Sequence, residues 1–105
     1  MTYVIVATDV AGRSGIEIGE VETGDTAEQV AEYLGREVAR QTGMEWRVSL
    51  RLCHRAWRVC FVGGEVCCYA DVCRTVQRWP GVPHLSLEQA ASLLAALVRM
   101  AAIAV

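Results

Sequence analysis

Sulfur and imidazole are the side chains in this sequence best suited to chemistry, and they are bunched. Four of the five cysteines, Cys60, Cys67, Cys68 and Cys73, fall in "CFVGGEVCCYADVC" around a glycine pair, with Cys53 and His54 just upstream and His84 downstream. Three chemistries would use such a set: a zinc ion held by four thiolates or imidazoles, a disulfide, or a thiolate nucleophile with an imidazole base. Periodicity limits each of them. If Gly63-Gly64 is a two-residue hairpin turn, Val62 faces Glu65, Phe61 faces Val66 and Cys60 faces Cys67. Alternation then sends Cys67 and Cys68 to opposite faces, so the adjacent pair cannot hold one metal. Cys60 and Cys67 become cross-strand neighbours, still two ligands short of a closed zinc site.

The same register carried further places Cys73 opposite His54, beside Cys53, with His84 arriving from a proline-containing loop. Cys53, His54, Cys73 and His84 are therefore the candidate zinc or thiol site. They lack the C-x-x-C knuckle that makes zinc assignments strong. An odd number of cysteines in a reducing compartment implies mostly free thiols, and a free cysteine is by default a small buried hydrophobe. No metal and no cofactor is the expectation, with Cys68 in the core. No phosphate loop, nucleophile elbow or paired-carboxylate signature occurs elsewhere, and "GRSG", Gly12 to Gly15, reads as a hairpin loop.

The elements that must position these groups follow from patterning. Tyr3 to Thr8 and Gly15 to Glu22 read as a first hairpin, the second strand interrupted by Gly19. A helix follows, with Asp25 as N-cap, Glu28 three residues on, Ala27, Val30, Leu34 and Val38 at helical spacing, and Gly43 as its stop. "EWRVSLRL" alternates strictly, Trp46, Val48, Leu50 and Leu52 on one side against Arg47, Ser49 and Arg51. "AWRVCFV" and "EVCCYAD" complete three antiparallel strands. Ser86 with Gln89 then forms a capping box that opens a helix running to the end. The order β-β-α-β-β-β-α predicts one α+β domain over 1–105, an antiparallel sheet with two helices packed on one face.

The 105 residues are 53% hydrophobic, long enough for one core without obligatory staples. The apolar run at the N-terminus, Tyr3 to Ala7, is shorter than a signal core, which predicts a cytoplasmic protein. All ten basic residues are arginine, with no lysine or asparagine anywhere, a composition that suits a GC-rich bacterium or a phage or mobile element living in one. Charge is segregated: residues 1–45 carry nine acids against three arginines, net −6, and residues 46–105 carry seven arginines against three acids, net +4.

Three surfaces could bind. Arg47, Arg51 and Arg58 with Tyr69 should stand on the side of the sheet opposite the apolar one, with Arg55 at the turn. Arginine and tyrosine on a sheet can hold phosphates and stack bases. From Asp25 onward the order α-β-β-β-α resembles a double-stranded-RNA-binding domain, in order alone. That family's basic segment at the start of its last helix is replaced here by "HLSLEQAA", with Glu88 and no basic residue but His84. The acidic net charge also works against phosphate affinity. Glu17, Glu20, Glu22, Asp25, Glu28 and Glu32 form an acidic run that could dock a basic partner protein. The last helix is apolar almost all round, with only Ser92 and Arg99 polar after Ala90, so it is either deeply buried or half of an interface. Leu97, Met100 and Ile103 are the candidates for a homodimer contact, and the helix is too short for a membrane span.

These features point to a small non-enzymatic protein-binding module acting by protein-protein contact. Size, composition and segregated charge suit an inhibitor encoded by a phage or mobile element that blocks a host nucleic-acid machine. Anti-CRISPR proteins are the analogy, at the level of size and style and not of any motif. The alternatives are a nucleic-acid-binding face at Arg47, Arg51, Arg58 and Tyr69, and the zinc or thiol site named above.

Overall fold

A computed structural model describes residues 1–8, 15–51, 56–63, 66–75 and 81–103, and the side chains of all of these except 66, 67 and 101–103. Its elements are β1 (Thr2–Thr8), β2 (Ile16–Glu22), α1 (Ala27–Thr42), β3 (Glu45–Arg51), β4 (Ala56–Gly63), β5 (Val66–Thr75), β6 (His84–Leu85) and α2 (Leu87–Ile103). The strands form one six-stranded sheet in the order β3-β4-β5-β1-β2-β6. The class is α+β, as the patterning predicts.

Two features of the sheet differ from expectation. β6, a two-residue strand, pairs parallel to β2, which makes the sheet mixed and not purely antiparallel. Gly19 is what admits it: a Cβ there would lie 2.5 Å from a Leu85 methyl carbon. The incoming chain is fastened beside it by the Glu20 N–H donating to the Pro83 carbonyl at 2.9 Å. The second difference is register. β4 and β5 pair Gly63 with Val66, Val62 with Cys67, Phe61 with Cys68 and Cys60 with Tyr69. This is two residues from the Gly63-Gly64 turn register, so Cys60 and Cys67 are not directly opposed. An even shift leaves every side chain on its expected side of the sheet.

Both helices pack on one side. α1 begins at a capping box between Thr26 and Gln29, one residue after the expected Asp25 and Glu28, and stops at Gly43 with φ 75°. Thr26 takes the cap because its hydroxyl accepts from the Gln29 N–H while the Gln29 side-chain oxygen accepts from the Thr26 N–H. α2 opens with the reciprocal Ser86–Gln89 bonds that the sequence predicts.

The core lies between helices and sheet. Val30, Ala31, Leu34 and Val38 of α1 and Ala90, Ala91, Leu94, Ala95 and Val98 of α2 meet Tyr3, Ile5, Val59, Phe61, Cys68, Ala70 and Val72. Cys68 is core, 5% exposed, as alternation requires. Tyr3 is buried among them and its hydroxyl donates to the Asp25 carbonyl at 2.8 Å, so its polar end is satisfied. No helix among the described residues is long and apolar enough to cross a membrane.

Candidate functional site

Period-2 alternation gives each strand a second set of side chains away from the helix-packed core, a side open in part, with Val4, Ala56 and Glu20 buried in its middle. Register arranges this open side in lateral rows. One row runs Arg51, Ala56, Cys73, Val4, Glu20, His84 across all six strands. The next runs Ser49, Arg58, Asp71, Val6, Glu17, and a third Arg47, Cys60, Tyr69, Thr8.

Asp71, on the central strand β5, organises the basic half of this side. It is 8% exposed and accepts from Arg58 Nε at 2.8 Å and Arg58 Nη2 at 3.0 Å, a two-pronged guanidinium-carboxylate pair. Arg51 reaches the same carboxylate from the edge strand, Nη1 to Oδ2 3.3 Å, across the small Ala56 that stands between. Arg58 also lies over the ring of Tyr69, its diagonal neighbour, 4.7 Å from the centroid. The hydrogen bonds that Arg58 donates to Asp71 hold its pKa above the ordinary value against the opposing effect of burial. Arg51, Arg58 and Tyr69 thus form one fixed plate, with Arg47 exposed beside it.

Sequence reasoning placed Arg47, Arg51, Arg58 and Tyr69 together and missed the carboxylate that binds two of them. The available signal was a lone acid in an apolar strand, at a position in phase with Tyr69 and the arginines. Its consequence for chemistry is large. A guanidinium already bonded to a buried carboxylate has lost much of its net attraction for phosphate.

The acidic run is divided among elements. Glu17, Glu20 and Glu22 belong to the open side of β2, whereas Glu28 and Glu32 ride on α1 in the other layer, and Asp25 lies in the connection. Glu20 is only 3% exposed, with His84 Nδ1 3.8 Å from its Oε1, so it is withdrawn from any docking surface. Glu17, Glu22, Asp25 and Glu28 are exposed and Glu32 is half-buried.

The candidate zinc or thiol set is not brought together in its describable half. Cys73 and His84 share a row but are separated by β1 and β2, three strand spacings or about 14 Å. Cys73 faces Ala56, not His54; Cys53, His54 and Arg55 lie outside the described residues. Among the described residues no group of three or more His, Cys, Asp or Glu is placed to hold a metal ion. Burial, with Asp71 nearby, pushes the Cys73 thiol up, the reverse of what a nucleophile needs.

On α2, Met100 is 64% exposed and Leu97 half-buried, and the Ile103 side chain lies outside those described. Leu93, absent from the expected contact, is also well exposed. A shallow groove between β6 and the start of α2 is lined by Leu85, Glu88, Gln89, Ser92 and Leu93. Compared with family models, with curated proteins and with solved structures, the chain has no significant match.

Proposed function

We propose that the chain is a small non-enzymatic module that binds another protein through the open side of its sheet. The observation that carries this is the plate of Arg51, Arg58 and Tyr69 fixed by Asp71. Arginine and tyrosine are the residues that most often dominate protein interfaces, and side chains already held in place lose little rotamer freedom on binding. Asp71 offsets one of the two positive charges, which weakens the pull of the pair on a polyanion. Exposed Arg47 at one end of the plate and exposed Glu17 and Glu22 at the other fit a partner with a basic patch beside an acidic or carbonyl-rich one.

The setting in this proposal is the cytoplasm, and the role is an inhibitor from a phage or mobile element that occupies a basic surface of a host nucleic-acid machine. A photo-crosslinking residue at position 47, introduced in the source cell, tests it. The expected result is one protein adduct, lost in the Arg58→Ala/Tyr69→Ala double variant. Retention of duplex RNA or single-stranded DNA with a steep salt dependence, abolished by Arg47→Glu/Arg58→Glu, would replace this reading with a nucleic-acid one.

A further inference from the structure

β3 ends the sheet, and its outer side pairs with no described strand. It is seven residues long, pairs with β4 without a register shift from Glu45 to Arg51, and contains no proline, glycine or lysine. Shortness, proline and bulges, by which an edge often refuses further pairing, are absent, so this edge is open to a strand whose charges complement Glu45, Arg47 and Arg51. Its own sequence, EWRVSLR, says which strand fits.

Two identical edges meeting about a two-fold axis normal to the sheet pair antiparallel, with equivalent faces on the same side. Same-side residues must then oppose each other, which leaves a few registers. Centred on Arg47, the two Arg47 side chains collide in charge; centred on Ser49, each Arg47 meets an Arg51. Centred on Val48, every one of the seven residues finds a partner. Glu45 then faces Arg51 of the other copy, Arg47 faces Ser49, and Trp46 faces Leu50. Cross-strand ion pairs of opposite sign stabilise antiparallel pairing and like signs oppose it. The register with the most pairs is thus also the one with complementary charge. It also covers Leu50, a large apolar side chain left 48% exposed at this edge.

We propose that two copies of this chain join through the outer edges of β3, antiparallel and centred on Val48, each Glu45 paired with Arg51 of the other copy. The contact is separate from the exposed apolar stripe of α2, where nothing in the residues selects one occupant over another. Arg58 and Tyr69 stay outside it, while Arg51 keeps its bond to Asp71 and takes Glu45 of the other copy as an additional carboxylate.

Light scattering after size exclusion, in reductant to exclude disulfide-linked species, reads the association across a concentration series. The wild-type chain should move from its 11.5 kDa mass towards twice that value. Glu45→Arg, which sets arginine against arginine at both ends, should weaken the dimer about tenfold. Ser49→Glu, which gives each Arg47 a carboxylate across the interface, should tighten it by about the same factor. Ser49 is exposed, so this variant keeps the test decisive if Glu45→Arg folds poorly by circular dichroism. Met100→Glu should leave the constant unchanged. A wild-type chain that is monomeric up to about 0.5 mM overturns the proposal. So does a dimer that Met100→Glu dissolves while Ser49→Glu leaves it unaltered.

Discussion

The two sides of the one sheet are held by different physics. Along β5, Cys68, Ala70 and Val72 point under the helices and Tyr69, Asp71 and Cys73 point away, so the difference is built into alternate residues of one strand. The helix side is closed by apolar burial, which is non-directional and tolerates changes of register or partner as long as volume is kept. On the open side, Asp71 binds two guanidinium groups and Glu20 lies beside His84, contacts in which direction and count matter. Substitution should therefore give large, chemistry-blind losses on one side and smaller, chemistry-specific changes on the other.

The largest effect belongs to the helix side. Phe61→Ala removes a fully buried ring and should cost about 3–5 kcal/mol in denaturant unfolding, with no change in what the open side binds. Asp71→Asn comes next. It leaves Arg51 and Arg58 facing a neutral amide and should cost about 1.5–3 kcal/mol. It should also strengthen polynucleotide binding relative to the wild-type chain, because two cations lose their internal counter-charge. Retention on a phosphocellulose column, compared between the two proteins, checks that second outcome. Tyr69→Ala removes the face over which Arg58 lies and should cost about 0.5–1 kcal/mol, with little change in the Arg58–Asp71 pair.

The smallest effect is on pH dependence. Because the folded Cys73 thiol titrates above its ordinary value, the native state keeps a proton at alkaline pH that the unfolded chain has lost. Its contribution is complete at neutral pH and falls as pH rises through the thiol range. Cys73→Ala should flatten that alkaline decline. Peptide-resolved labelling at about pH 8 should find Cys73 slower in the native state than in the unfolded chain.

The sequence disclosed the sorting of these two sides more fully than their wiring. Strict alternation from Trp46 onward was enough to put Arg47, Arg51, Arg58 and Tyr69 together and Cys68 inside, because period 2 survives an even register error. It could not choose among the residues of "GGE" for the turn, since the glycines suit several positions, and the pairing settled two residues away. Nor could it show that β1 enters between β5 and β2, a contact of long sequence separation without a local signature. β6 is too short to carry a pattern and exists because Gly19 leaves room for Leu85. Asp71 was visible as a letter but not as a clamp, for its role depends on facing Arg58 in the observed register. The acidic run is divided for a similar reason: neighbours in sequence belong to sheet, connection and helix.

The commitment of the open-side arginines to Asp71 is measured most directly by a double-mutant cycle. Unfolding free energies of the wild type, Arg58→Ala, Asp71→Ala and the double variant isolate the coupling between the two side chains. A coupling of about 1–3 kcal/mol is predicted for this two-pronged, largely desolvated pair. A coupling near zero would mean that Arg58 is in effect solvated and available to phosphate, and the fixed plate on which the protein-binding reading stands would not exist.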